Sequence, residues 1–430
     1  MRKSRFANVI SHEGEYLIHN SLFGGVVKAK CSDSKAFLGS IESGQSFVYD
    51  ENEGFHKVLS DMRMIVDDAM EESNLVDYYY MGSQGHELLI IPIVTRQCNF
   101  RCIYCYEEFR NEKMSAETWQ NLLKAIEFLI DLKSYKSLRI SYFGGEPLLE
   151  YGAICDFAEK LKELAHRKNV ALFSGMTTNG YLLTKERLNK LISLNVTDYQ
   201  ITIDGLQKTH DNARFLVGKG GTWQTIIQNL IDAKDSPLDF KIVIRTNFTQ
   251  EIFQSAEEYL KYISQYFMGD NRFGFHFEAV KTLHHTRNAG KPMEAREETN
   301  IIYEMAKKGK ELGLNMHEVK PSLFPFGLVC YAAKNDSLTI DCNGTVMKCT
   351  VHIDEAANHV GSIADGGLFI KDHLMSCWTT AKLPDKCSSC KILPICYGKH
   401  CPAIAVGCHE EPCNRLLSIY EDTLKVFYLM

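Results

Sequence analysis

The chain has 430 residues, 45% apolar and 24% charged, which is a globular composition and too long for one ordinary core. Its net charge of −6 argues against a general binder of nucleic acid or of anionic membranes. No run approaches the roughly 18 apolar residues that a spanning helix needs, so no membrane partner is predicted.

The opening MRKSRFANVISHEGEYLIHN has early basic residues but no apolar h-region, so no secretory signal is read and a cytoplasmic location is expected. EYLIHN (15–20) and GGVVKA (24–29) look like a hairpin around Gly24 and Gly25, and RMIVD (63–67) like a further strand. Residues 1–85 are expected to form a small α+β module. From 87 to 315 strand and helix patterns alternate. Strand candidates are 88–94, 138–143, 171–177, 199–203, 241–246 and 273–280. In the first helix Trp119, Leu122, Leu123, Ile126, Leu129 and Ile130 share a face, and Ser115 is a natural N-cap; Thr184 fills that place for the third helix.

Six β–α units predict an α/β fold with a parallel sheet and helices outside, an open partial (β/α)6 TIM-like barrel. Pro92 falls inside the first strand pattern. Proline is expected on an edge strand, which an open barrel would provide. In such folds the loops that follow the strands carry the chemistry. Residues 316–430 read as an irregular, cysteine-rich domain that metal would stabilise.

Fifteen cysteines are unevenly spread: three fall in 98–105 (CNFRCIYC) and ten between Cys330 and Cys413. A reducing compartment makes a disulfide framework an unsuitable explanation, and the clustering reads as metal binding. Cys98-x3-Cys102-x2-Cys105 offers three thiolates directly after the first strand. Four protein ligands close a tetrahedral zinc site. Three on a four-iron cluster leave one iron open to another ligand. A zinc site completed by a remote cysteine or histidine is the alternative.

Those cysteines, with Tyr104 before the third, resemble the radical S-adenosylmethionine (SAM) signature. The likeness continues through Gly144-Gly145-Glu146-Pro147, Thr177-Thr178-Asn179-Gly180, Thr202-Ile203-Asp204-Gly205 followed by His210-Asp211 and Arg214, and Arg245-Thr246-Asn247, each after a predicted strand and in the family's order. The resemblance implies a [4Fe-4S] cluster on Cys98, Cys102 and Cys105. SAM would chelate its open iron and be cleaved reductively to a 5′-deoxyadenosyl radical that abstracts hydrogen. It further implies that Glu146 holds the SAM ammonium, that Gly144 and Gly145 let backbone approach the ligand, that Pro147 belongs to the same motif, and that Tyr104 lies near the adenine. Asn179, Thr202 and Arg214 are candidates for the ribose and carboxylate; for Asn179 and Thr202 the alternative is ordinary turn and strand-end polarity.

The C-terminal cysteines are similar to a SPASM domain, which in relatives holds two auxiliary four-iron clusters, for three clusters in all. Carried over, Cys330, Cys349 and Cys401 would serve the first, one ligand short, with Cys342 and Cys408 as spare candidates or an open position. Cys387, Cys390, Cys396 and Cys413 would serve the second. A zinc ribbon over 387–401 is the alternative. Cys31, Cys155 and Cys377 read as packed hydrophobes. Relatives of this type mostly modify peptides. The resemblance implies a maturase that forms thioether or carbon–carbon cross-links in a ribosomally made precursor peptide with a leader. Flavodoxin or ferredoxin would be the electron donor. Residues 1–85 resemble in outline a winged-helix leader-recognition module. The alternatives are an anaerobic sulfatase-maturing (formylglycine-generating) enzyme, opposed by Thr350 where an acid commonly follows the cysteine, and a non-enzymatic metal-binding scaffold for peptides. His284 and His285 are a solvated-loop pair or face the substrate. No catalytic base is identified.

Overall fold

The computed structural model describes residues 1–12, 14–30, 49–50, 53–280, 293–316, 323–364, 367–380, 383, 385–404, 406–407 and 413–428. Cys31, Cys408 and the pair His284 and His285 lie outside the described residues. The chain divides into two compact units, Met1–Gln84 with Val319–Ala333 and Thr380–Met430, and Gly85–Glu318 with Lys334–Thr379. This division differs from three successive segments: the stretch 316–430 is shared between the units.

The larger unit is built on one sheet. Six strands come from the predicted repeats: β1 (Glu87–Pro92), β2 (Ser137–Tyr142), β3 (Ala171–Thr178), β4 (Val196–Thr202), β5 (Lys241–Phe248) and β6 (Phe273–Ala279). They pair in parallel in the order β6-β5-β4-β3-β2-β1. Each starts within three residues of its predicted position. Alternation sets the two faces. In β5, Ile242, Ile244, Thr246 and Phe248 are buried, while Val243, Arg245 and Asn247 are half-buried on the other face. Helix Ala116–Lys133 buries Trp119, Leu122, Ile126 and Ile130 as its periodicity requires, and Ser115 Oγ accepts from Thr118 N at 3.0 Å. Thr184 caps helix Lys185–Ser193 in the same way.

The sheet does not stop at β1. Strand β7 (Ser337–Ile340) adds in parallel beside it, and β8 (Thr345–Met347), β9 (His359–Ala364) and β10 (Gly367–Ile370) follow antiparallel. Pro92 is therefore on an interior strand, contrary to the edge expected for it. It is tolerated because it is the last residue of β1: Ile93 N has already turned to Ile340 O, and the Pro92 carbonyl still accepts from Phe143 N at 3.0 Å.

Arg96, just past β1, is 5% exposed. Its Nε and Nη2 donate to Asp341 at 3.1 and 2.6 Å, and its Nη1 to Asp354 at 2.7 Å. The fork pins the cysteine loop to the turn after β7, and Asp341 Oδ1 also receives Cys342 N at 2.8 Å.

The smaller unit has a three-stranded antiparallel sheet, Ala7–His12, Glu15–Asn20 and Val26–Lys30. The second and third strands are the predicted hairpin. Of RMIVD only Ile65–Val66 is a strand, paired with Arg2–Lys3. Ile10 and Leu17 share a core with Ile392, Ile395, Leu416, Tyr420 and Leu424. The N-terminal strands and the C-terminal cysteine segment thus form one hydrophobic body. The long helix Cys413–Tyr428 departs from the irregular tail expected there. It supplies an apolar stripe at i, i+4 and i+8 (Leu416, Tyr420, Leu424). His19 Nδ1 and Tyr420 Oη are 2.7 Å apart within that core.

No disulfide joins the cysteines whose side chains are described. Cys155 is half-buried, but Cys377 is exposed on a helix with Sγ 3.1 Å from His373 O, so it is not the packed hydrophobe expected. Among the described residues no helix is long and apolar enough to cross a membrane.

Removing Asp341 leaves a buried guanidinium with one partner lost. Asp341→Ala should destabilise the larger unit by about 3 kcal/mol in denaturant unfolding followed by circular dichroism; an unchanged transition would show that the fork does not hold the loop.

Candidate active site

The site lies at the C-terminal ends of the parallel strands. Three loops press together there. Gly145 N donates to Thr95 O at 3.0 Å and Glu146 N to Gln97 O at 2.8 Å, backbone to backbone. A Cβ on Gly144 would stand 2.3 Å from Thr95 O, and one on Gly145 2.3 Å from Gln97 O, while Gly144 also has φ 125°. The two glycines are required by this contact between loops. The close approach seen is to the cysteine loop itself, whereas the sequence pointed to a ligand.

Glu146 is fully buried behind that contact. Its carboxylate accepts from Leu148 N (3.0 Å), Thr178 Oγ1 (2.7 Å) and Asn179 N (2.7 Å), joining the loops after β2 and β3. Burial raises its pKa and the three donors oppose the rise. Pro147 opens the short helix that follows. Asn179 Nδ2 reaches Asn99 Oδ1 at 2.8 Å, tying the third loop to the cysteines. On the other side Arg101 N and Ile103 N donate to Phe215 O and Ala213 O, docking the segment that carries Arg214.

A cavity of about 390 Å³ opens between these loops. Cys98, Cys102, Tyr104, Cys105, Gly144, Gly145, Asn179, Thr202 and Arg214 all line it. Of the predicted SAM-contact positions only Glu146 and Pro147 stand behind its wall. Cys98 is 9% exposed. Burial holds the Cys98 and Cys102 thiols above the ordinary range and pushes Cys105 up to about 12. Three thiolates in this setting need a cationic group among them. Among the described residues no three His, Cys, Asp or Glu side chains are arranged to hold one metal ion.

Arg214 supplies the opposite sign. It is 7% exposed, and its Nη1 donates to Tyr104 Oη at 2.8 Å. Its Nε is buried with no hydrogen-bond partner. An arginine Nε–H left dry is costly, on the order of 1–3 kcal/mol, unless an acceptor fills its place. Tyr104 Oη also takes Asn247 Nδ2 at 3.2 Å and donates to Asp204. The hydroxyl is thereby committed to this polar cluster.

Sequence reading missed Glu107, Gln200, Arg245, Asn247 and Glu278 as wall residues. Burial raises Glu107 to about 7. Arg245 and Asn247 alternate on one face of β5 and Gln200 and Thr202 on one face of β4, so period two through the quoted motifs would have found them.

The remaining predicted ligands fall in both units. Cys387, Cys390 and Cys396 are neighbours in the smaller unit: Cys390 N donates to Cys387 O, and burial raises Cys396 to about 11 with both others contributing. Cys330 N donates to Lys399 O, two residues from Cys401. Cys413 heads the last helix, and its side chain lies outside the described residues. Cys349 belongs to the larger unit, where Asn358 Oδ1 receives its N–H at 2.9 Å. Cys342, 3% exposed, lies near Glu112 with a thiol raised by burial to about 12.

Residues 92–263 match the Radical SAM superfamily. PqqA peptide cyclase of Bradyrhizobium diazoefficiens is 27% identical over 124 residues, 29% of this chain and 30% of that protein. The chain spans 59% or less of the length of the first curated relatives it matches. Among solved structures, anSMEcpe with bound AdoMet and the Cp18Cys peptide has TM-score 0.60 at 17% identity, covering 80% of this chain and 97% of that one. SuiB of Streptococcus suis bound to its precursor peptide SuiA has TM-score 0.52 at 14% identity, covering 92% and 94%. At those identities the structures speak for the fold alone, and the family match identifies residues 92–263 as a Radical SAM domain.

Proposed function

We propose that this enzyme matures a ribosomally made peptide, binding SAM in the cavity lined by Cys98, Cys102, Cys105 and Arg214. The observation that carries the reading is the composition of that cavity: it is lined by three cysteines, Cys98 buried and Cys102 and Cys105 partly buried, and by Arg214, whose buried Nε has no hydrogen-bond partner among the described residues. The donor set suits a [4Fe-4S] cluster with one open position, since three thiolates neutralise part of its charge and no fourth protein ligand is needed. The arginine edge suits the carboxylate of SAM. When bound, cluster and SAM supply reductive cleavage to a 5′-deoxyadenosyl radical that abstracts a hydrogen atom.

The chain's own residues do the rest. Gly144 and Gly145 keep the cysteine loop against the next strand's loop. Glu146, behind the cavity wall, holds the loops after β2 and β3 in place through its three donors. Tyr104, Asn179 and Thr202 shape the wall towards ribose and adenine. The half-buried face of β4 to β6, with Gln200, Arg245, Asn247 and Glu278, offers polar groups to a substrate.

Peptide as substrate class is supported by neighbours bound to peptides, SuiB with SuiA and anSMEcpe with Cp18Cys, and by the relative named a peptide cyclase. Recognition of an extended leader by strand addition is part of the proposal. Two auxiliary clusters are part of the proposal. Cys387, Cys390, Cys396 and Cys413 of the smaller unit are the candidate ligands of one. Cys330, Cys349 and Cys401 are the candidates carried over from the sequence for the other. A thioether or carbon–carbon cross-link is the expected product, and a flavodoxin or ferredoxin the electron donor in a cytoplasmic setting.

Anaerobically reconstituted enzyme with dithionite and SAM should release 5′-deoxyadenosine, read by mass spectrometry, and the Cys98→Ala, Cys102→Ala, Cys105→Ala triple variant should release none. Product from the triple variant would sink the cluster assignment. A cysteine-rich or repeat-bearing peptide encoded by a neighbouring reading frame should lose two hydrogens per link in the same reaction; 5′-deoxyadenosine formation without any change in such a peptide would count against peptide maturation.

A further inference from the structure

Building on the reading of Arg214 as the carboxylate-binding group, we propose that Asp204 is a positioning residue that fixes this arginine through the Tyr104 hydroxyl, and so sets the preference for a ligand carrying a carboxylate. The inference starts from donor and acceptor counting. Tyr104 Oη has one proton and two acceptor sites. Arg214 Nη1 and Asn247 Nδ2 approach it at 2.8 and 3.2 Å, and both only donate. The amide of Asn247 is oriented independently, because its Oδ1 accepts from Arg245 Nε at 2.8 Å. The tyrosine proton therefore has a single destination, the Asp204 carboxylate.

Asp204 is itself immobile. It is fully buried, its Oδ1 accepts from Asn247 N at 2.8 Å, and its own N–H donates to His210 Nδ1 at 3.0 Å. His210 Nε2 stands 3.1 Å from Thr222 Oγ1, which donates to Arg214 O at 2.6 Å. Arg214 is thus held at both ends by one closed circuit, its backbone through Thr222 and His210 and its guanidinium through Tyr104. The face of Phe100 lies 5.8 Å from its Cζ. Arg214 lines the cavity, and its buried Nε has no hydrogen-bond partner among the described residues.

The chemistry of this arrangement is specific. Asp204 balances the arginine charge without touching it, so the guanidinium stays available for a second anion. Polarisation by the carboxylate strengthens the tyrosine oxygen as an acceptor and stiffens the arginine. An Asp204→Asn change keeps the volume and the bond from Asn247 N, but it replaces the acceptor of the tyrosine proton by a neutral amide. Arg214 then loses its anchor and not its charge.

The test compares SAM with decarboxylated SAM, which lacks only the carboxylate, by equilibrium dialysis against anaerobically reconstituted full-length enzyme. Wild type should prefer SAM. In Asp204→Asn, and separately in Tyr104→Phe, the affinity for SAM should fall by about tenfold while that for the decarboxylated analogue stays within about twofold. Equal loss for both ligands would make Asp204 merely structural and overturn the inference, as would unchanged preference in both variants. Should Asp204→Asn fail to fold or to take up iron, Tyr104→Phe, which removes the linking hydroxyl and leaves both charged residues in place, decides by the same ratio. A wild type that binds both ligands equally removes the carboxylate reading of Arg214 itself, whereas a discriminating wild type with discriminating variants removes only the role of Asp204.

Discussion

The constraint on which the site depends is the contact between two peptide backbones. The loop after β1 and the loop after β2 lie so close at Thr95 to Gln97 and Gly144 to Gly145 that a single Cβ would strike a carbonyl oxygen at 2.3 Å. Everything that gives the cavity its chemistry is placed relative to this seam. Cys98 follows it by one residue, and Glu146 extends it to the loop after β3. Arg96 extends it in the opposite direction, to Asp341 and Asp354 beyond β7. Side-chain contacts alone would leave such loops mobile. Paired main-chain hydrogen bonds with no side chain between them fix their separation.

Around this seam the protein buries charges that it does not pair directly. Glu146 is solvated by three donors and no cation, and Asp204 reaches Arg214 only through a phenol. Both arrangements are unfavourable in isolation, because desolvation penalises each charge. Of these groups Arg214 is the one that lines the cavity. The thiols follow the same logic: burial discourages their ionisation, and a polycationic group among them reverses the sign.

Much of this was legible in the sequence, and what was not has identifiable causes. The six strands of the larger unit start within three residues of expectation, since half-buried parallel strands give short β-branched runs and their helices a clear period. Nine of the eleven predicted first-cluster and SAM positions line one cavity because the motifs follow strand ends, and strand ends share a mouth. Pro92 misled because edge and terminus are both places where a missing N–H is tolerated, and sequence does not separate them. The continuation of the sheet through β7 to β10 was hidden because Ser337–Ile340 is four residues long and pairs with a strand almost 250 positions earlier. The shared core of the N-terminal strands and the last helix is equally non-local. The circuit through Asp204, Tyr104 and His210 was invisible for a different reason: each residue carried a motif label, and the labels said nothing about which side chain points at which.

The central claim is that Cys98, Cys102 and Cys105 hold a cluster with one position free for SAM. It is tested most directly by electron paramagnetic resonance of the reduced, anaerobically reconstituted enzyme, recorded without and with SAM. The account predicts a four-iron signal whose g values move when SAM is added, and the loss of that SAM-responsive component when the three cysteines are replaced. A spectrum indifferent to SAM in the wild-type enzyme, or a response that survives the replacement, would contradict it.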